Sequence, residues 1–371
     1  MEAQSVEKPV VLVTGSSGLI GTRVMATLSS DCRVVGLDVK RPQQPTAGVD
    51  WIECDMTKDA SVTQALARVR EKYGNHVASV IHLTAYYDFS GEPSPLYQTL
   101  TVEGTRRLLK GLQKFQVQQL IFSSSLLVMK PAEEDEAITE ASLTEAAWDY
   151  PRSKLAAEQV IRRERGGIPA VILRIAGVYD EDCHSIPIAQ HVSRIYEKKL
   201  ESYFFPGDST RGQAFVHLDD LITCIRKAVE LRRMLGPQEV FLIAEPDVMS
   251  YAEMQDRLGE LIHGQEWPTI RIPKAVAKVG AWAQEQLAGE EDETFIKPWM
   301  VDLADAHYPV AIERAREGLG WDPRHRLRDT LEEMIRRLKR DPRQWYQMNN
   351  LPWPDEEKTQ EAESKGIEER V

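Results

Sequence analysis

Cysteine is scarce in this chain: four occur in 371 residues, at Cys32, Cys54, Cys183 and Cys224. No two lie close enough for a C-x-x-C zinc or redox motif. Scattered thiols in a chain of this length do not make a disulfide scaffold, and the expected compartment is reducing. Apolar runs are short, and none approaches the ~18 residues of a membrane-spanning helix. The opening MEAQSVEKPVVLVTG has no basic start, long apolar stretch or cleavage site of a secretory signal. The expectation is a soluble, cytoplasmic protein. Basic residues are outnumbered, 46 Lys and Arg against 58 Asp and Glu, for a net charge of −12. That balance disfavours nucleic acid and membrane surfaces as partners. With 42% hydrophobic residues the chain has ordinary material for a core. Its length suggests about two domains.

The first half alternates apolar runs with amphipathic stretches. Strands are expected at Pro9–Val13, Arg33–Leu37, Trp51–Cys54, Ala78–Thr84, Gln119–Ser123 and Ala170–Ile175. Helices are expected at Ile20–Leu28, Asp59–Tyr73, Val102–Phe115 and Ala146–Arg165. Continuous apolar strands alternating with helices predict an α/β fold with a parallel sheet buried on both faces. After Gly177 helices dominate, at 187–199, 219–233, 250–263, 273–287 and 327–340, with short strands at 239–243 and near Ile270. The chain thus divides into residues 1–177, residues 178–350 with some return to the first sheet, and a polar tail, 351–371, expected to be disordered.

Thr14-Gly15-Ser16-Ser17-Gly18-Leu19-Ile20-Gly21 follows a strand and opens a helix. In that context Gly15 permits a tight turn, Gly18 lets backbone approach a pyrophosphate, and Gly21 lets helix and strand pack closely. The helix start offers Ser17, Leu19 and Ile20 to phosphate. Asp38 ends the second strand, where a carboxylate accepts from ribose hydroxyls and repels a 2′-phosphate, favouring NAD over NADP. Asp55 and Met56 after the third strand are candidate adenine contacts. Leu83, Thr84 and Ala85 after the fourth line the same crevice.

Tyr150 and Lys154 stand four residues apart, on one helix face. A phenol near pKa 10 needs a neighbouring cation to act near neutral pH, and Lys154 is placed to lower its pKa. Ser125, past the fifth strand, is the candidate partner for the reacting oxygen. Tyr86, Tyr87 and Asp88 follow the fourth strand; Tyr87 and Asp88, with Ser125 and Arg211, are candidate substrate contacts. No metal is expected: His217 beside Asp219 and Asp220 lacks enough ligands, and His82 reads as a core histidine. Asp182, Cys183 and His184 read as a solvated loop. Trp282, Trp299, Trp321, Trp345 and Trp353 read as C-terminal packing.

These pieces together resemble the extended short-chain dehydrogenase/reductase family, in its NAD-dependent epimerase/dehydratase group. The resemblance runs from residue 9 to about 340 through TGSSGLIG, Asp38, CDM (54–56), IHLTA (81–85), VEGTRRLL (102–109), FSSS (122–125), YPRSK (150–154), LRIAGVY (173–179) and FVHLDD (215–220). It implies a Rossmann-type doubly wound sheet with a smaller, mostly helical C-terminal substrate domain, a homodimer, and Ser125, Tyr150 and Lys154 as catalytic triad. Lys154 and Tyr150 would also touch the nicotinamide end. It implies an NAD-dependent oxidoreductase acting on a secondary alcohol or ketone of a small molecule. A nucleotide-sugar 4-epimerase and a non-catalytic NAD-binding scaffold are the alternatives. Leu126-Leu127 stand where dehydratases and decarboxylases of the family carry an acid. Gly177 and Gln213 stand where sugar-nucleotide members carry Asn and Arg, with Arg211 as a substitute; Thr101 and Met129-Lys130 are further departures. The acidity is local: 131–151 carries seven acids and no base, and 355–371 is net −4. The first of these leads into Tyr150, so a neutral or cationic substrate is expected there.

Overall fold

In the computed structural model, residues 8–42, 46–88, 91–133, 136–279 and 298–354 are described. The acidic tail beyond 354, Trp282 and the second half of the helix expected at 273–287 lie outside them. Seven strands form one sheet: β1 (Val10–Thr14), β2 (Arg33–Asp38), β3 (Asp50–Glu53), β4 (Ser79–His82), β5 (Leu120–Ser125), β6 (Ala170–Ile175) and β7 (Gln238–Ile243). Their spatial order is β7-β6-β5-β4-β1-β2-β3, and every pairing is parallel. This is a doubly wound Rossmann-type sheet, with the order reversing beside β1. In sheets of this kind ligands bind at that reversal, outside the carboxyl ends of the strands.

The apolar pattern explains the layers. α1 (Leu19–Leu28) buries Val24, Met25 and Leu28 on one face of the sheet, and α6 (Leu218–Glu230) packs beside it. α2 (Asp59–Tyr73), α3 (Glu103–Leu112) and α4 (Asp149–Glu164) cover the other face with Val62, Leu66, Leu108, Leu112, Ala157 and Ile161. The expected helices and strands of the first half all form, with ends shifted by up to three residues. α3 is preceded by a π-helical turn, Tyr97–Val102, which the apolar pattern did not announce.

A third core holds the C-terminal region. α5 (Ile186–Tyr196), α7 (Tyr251–His263) and the helix Leu327–Arg340 meet through Val192, Ile195, Leu258, Leu331, Met334 and Leu338. The basic helix 327–340 therefore docks on its own chain, with its charges on the outer face. Short strands Gly177–Tyr179 and Phe215–His217 pair with each other, as do Phe204–Pro206 and Ile270–Ile272. Among the described residues no helix is long and apolar enough to cross a membrane.

Glu245, just after β7, is 2% exposed. Its carboxyl accepts from the Leu327 amide at 2.9 Å and the Tyr179 hydroxyl at 3.3 Å. Burial pushes its pKa up to about 8. The folded chain thus holds this proton more tightly than the unfolded chain does. The resulting stability is full below the unfolded value of 4.5 and is lost as pH rises to about 8. Glu245→Gln keeps an acceptor and cannot ionise. It should flatten the fall in melting temperature between pH 5 and pH 8.5; a variant that melts in parallel with the parent at both pH values would contradict this.

Candidate active site

The glycine loop joins β1 to α1. Gly15 has φ +67°, and a Cβ there would lie 3.0 Å from the Thr84 amide nitrogen, so the turn and the close approach of the 83–84 backbone both require glycine. A Cβ on Gly21 would lie 2.2 Å from the Gly15 carbonyl oxygen, so α1 can rest on the loop only without a side chain. Gly18 differs. Its φ is −78° and a Cβ would meet only the Gly15 oxygen, at 3.5 Å, an ordinary contact. Among the described residues nothing asks for glycine at this position, whereas a phosphate drawn close to the backbone would. As N-cap of α1, Gly18 offers no side-chain cap, and the first turn carries no acid, which leaves its amides and positive dipole end to an anion.

Asp38 ties this loop to β2. Its carboxylate accepts from the Ser17 amide at 2.9 Å and the Val39 amide at 2.7 Å, leaving further lone pairs for ribose hydroxyls. Asp55 is engaged locally: it accepts from the Thr57 amide at 2.9 Å and pairs with Lys58 at 2.8 Å, contacts that hold its carboxyl down at about 2. Met56 is 2% exposed and packs in the core beneath Gly104. Leu83, Thr84 and Ala85 are half-buried past the end of β4, beside the loop.

His82, at the end of β4, braces this crevice. Thr105 donates to the Thr101 carbonyl at 2.6 Å, so its oxygen accepts from His82 Nε2 at 3.0 Å. His82 Nδ1 then accepts from the Thr14 hydroxyl at 2.7 Å. Burial, helped by the Lys154 charge, pushes the ring's pKa down to about 3, so it stays neutral and keeps this polarity.

The triad residues meet at the carboxyl end of β5. Ser125 closes that strand, is 5% exposed, and its hydroxyl oxygen accepts from the Leu127 amide at 3.2 Å. Lys154 is 3% exposed; its Nζ donates to the Ser123 carbonyl at 2.7 Å and lies 5.8 Å from the Tyr150 ring centre. The electrostatics depart from the sequence expectation. Burial pushes Tyr150 up to about 12, and the Ser125 hydroxyl, not Lys154, pulls it back. Burial also brings Lys154 down to about 7, opposed by Glu158. Near neutral pH only part of the lysine is charged, so its grip on a phenolate is weaker than the spacing alone implied.

Three features here were missed in the sequence. Glu158 sits one turn beyond Lys154 on α4 and is fully buried. It accepts from Ser124 at 2.6 Å and from Arg174 at 3.0 and 2.8 Å, a two-point pair in the second layer of the site. Its signal was the arginine inside the apolar strand AVILRI, since a charge there needs a buried partner. Trp148 and Trp299 are the second and third: the Trp148 ring centre lies 5.5 Å from that of Tyr150 and 5.1 Å from that of Trp299. The sequence offered no signal for Trp299, which arrives from a distant helix.

Other candidates take more local roles. Tyr87 is 47% exposed and sets its ring edge-on to Tyr150, with centres 4.8 Å apart. Asp88 accepts from the Tyr86 hydroxyl at 3.2 Å. Arg211 donates to the Glu133 carbonyl at 3.2 Å and faces Asp208. Much of the described part of the acidic stretch 131–151 is engaged by other elements. It bridges Thr144 to Met129 and Ile138 to Val310, and Glu140 accepts from the Leu242 amide of β7 at 3.0 Å. Its end at 148–150 carries the contact with Tyr150.

The chain matches the NAD dependent epimerase/dehydratase family over residues 11–244. It is 26% identical over 365 residues to short-chain dehydrogenase/reductase family 42E member 1 of Danio rerio, covering 91% of this chain and 87% of that one. It is 27% identical over 365 residues to the decarboxylating sterol-4-alpha-carboxylate 3-dehydrogenase of Schizosaccharomyces pombe, covering 94% and 98%. Among solved structures, UDP-glucose 4-epimerase with UDP-glucose from Thermotoga maritima superposes with a TM-score of 0.66 at 20% identity, covering 89% of this chain and 99% of that one.

Proposed function

The chain belongs to the NAD dependent epimerase/dehydratase family, and on that premise we propose that it oxidises a secondary alcohol, or reduces the matching ketone, of a neutral small molecule. The observation that carries this reading is Lys154, buried and fixed on the Ser123 carbonyl at 2.7 Å, with its Nζ 5.8 Å from the Tyr150 ring centre, at the end of the strand that Ser125 closes. NAD, when bound, would supply the hydride acceptor for the carbinol carbon in oxidation and the hydride donor in reduction. Gly15, Ser17, Gly18, Leu19, Ile20 and Gly21 would hold its phosphates, Asp38 its adenosine ribose, and Asp55, Met56, Leu83, Thr84 and Ala85 would line its crevice. Tyr150 takes the hydroxyl proton in oxidation and gives it back in reduction. Ser125 holds the same oxygen and keeps the phenol oriented. Lys154, fixed on the Ser123 carbonyl, supplies positive charge below the phenol and a contact for the nicotinamide ribose. A homodimer, implied by the family resemblance, is tested by light scattering, and a cytoplasmic placing, expected from the scattered cysteines, is tested by cell fractionation.

A 4-epimerase remains the second reading, since the similar Thermotoga structure carries UDP-glucose. Two observations weigh against it. Gln213, where an arginine would meet diphosphate, donates to the Ala306 carbonyl at 2.9 Å. Arg211 is committed to Glu133 and Asp208. A diphosphate moved from water to this site would lose hydration without gaining a dedicated cation. UDP should therefore bind the NAD-loaded protein only weakly, in the millimolar range of ~4 kcal/mol. Calorimetry showing micromolar UDP would remove the oxidoreductase reading in favour of the epimerase.

A further inference from the structure

The catalytic phenol is ringed by aromatic side chains from three separate parts of the chain. Tyr87, from the loop after β4, meets Tyr150 edge-on, with planes at 75°. Trp148, at the N-cap of α4, tilts against it at 38°. Trp299, in the helix Pro298–Leu303, tilts against Trp148 at 35°. A Cβ on Gly91 would lie 2.2 Å from Trp299 Nε1, so the indole rests on the bare backbone of Gly91. Residues 86–88 are themselves braced, because Tyr97 stacks edge-on with Tyr86 at 4.9 Å and donates to the Asp88 carbonyl at 3.1 Å. Arg152, the cation beside this ring of aromatics, is spent on Asp149 at 3.2 Å and the Ala147 carbonyl at 2.8 Å.

Resting on the oxidoreductase reading above, we propose that Tyr87, Trp148 and Trp299 form an aromatic collar that selects a flat, uncharged, fused-ring alcohol or ketone, with Trp299 as a specificity-determining residue. The chemistry follows from the surfaces. A substrate presenting its oxygen to Ser125 and Tyr150 must bring the carbon skeleton behind that oxygen past the rings of Tyr87 and Trp148. Aromatic faces and edges reward flat apolar rings through offset and edge contacts and give a flexible acyclic chain much less. An anion would face ring quadrupoles and acidic neighbours instead. Trp299 closes the collar from a region remote in sequence, so the C-terminal part of the chain reads the substrate while the sheet performs the chemistry.

The test uses the full chain with NAD and two probe alcohols, 1-tetralol (two fused rings) and 2-butanol (acyclic), followed by NADH formation. The parent should favour 1-tetralol. In Trp299→Ala the ratio of kcat/KM for 1-tetralol to that for 2-butanol should fall at least tenfold, mainly through KM. Trp299→Phe should restore much of that ratio. Gly91→Ala, which pushes a methyl into the indole, should lower it without touching the tryptophan. Melting temperature and NAD affinity report on folding. An unchanged ratio in both Trp299→Ala and Gly91→Ala overturns the collar and leaves the oxidoreductase reading intact. If the parent oxidises neither alcohol, binding of the ketone 1-tetralone is read by tryptophan fluorescence quenching. Quenching that is lost in Trp299→Ala supports the collar and defeats the oxidoreductase reading; absence of quenching defeats both.

Discussion

Tyr150→Phe is expected to lower turnover by ~10²–10⁴-fold, the usual worth of a positioned acid–base group, while NAD affinity changes far less. The variant removes one oxygen and keeps the ring that packs between Tyr87 and Trp148. The phosphate contacts expected of the glycine loop and the ribose contacts of Asp38 do not depend on that oxygen. NADH formation in stopped flow and NAD binding by calorimetry separate the two effects. Retained turnover in Tyr150→Phe would show that the proton leaves by another route. The pH profile adds a sign. Burial holds the phenol up at about 12, so the ionised base is rare near neutral pH and oxidation should speed up as pH rises. Reduction, which needs the protonated phenol, should not show that rise.

Glu158→Ala is expected to cost ~3–5 kcal/mol of folding stability, because it strands a buried charge on Arg174. Arg174 is 3% exposed and gives Glu158 two hydrogen bonds, so no water is at hand to replace the carboxylate. Ser124 loses its acceptor as well. It lies between Ser123, whose carbonyl holds Lys154, and Ser125, the proposed partner of the reacting oxygen, so turnover should fall together with stability. Replacing both partners in Glu158→Met/Arg174→Met removes the stranded charge and should recover much of the stability. Urea denaturation of the three proteins decides the matter. Equal losses in the single and double variants would mean that the pair matters by shape and not by charge.

Much of the fold was legible because its signals are local. Val10–Thr14, Arg33–Asp38 and Ala170–Ile175 are continuous apolar runs, and such runs suit only strands buried on both faces. The glycine spacing fixed the first turn, since Gly15 and Gly21 each occupy places where a Cβ collides with backbone. The Tyr150–Lys154 spacing placed both groups on one face of α4. The triad's electrostatics were not legible. The sequence gives the distance between phenol and ammonium along a helix, but not the depth at which each is buried, and burial dominates both pKa shifts.

The acidic stretch shows the same division. Its charge was countable, but its course was not: the backbone carries Glu140 to the edge of β7 and only 148–150 to the site. By itself the sequence determined the sheet, the glycine turn and the placing of Tyr150 and Lys154 on one helix face, because periodicity, glycine sterics and helical spacing act over a few residues. Only the tertiary structure decided the company that pair keeps. Glu158–Arg174 below it and Trp148–Trp299 beside it join residues 16 and 151 positions apart. Contacts of that range are fixed by how layers pack and leave no periodic trace in the chain.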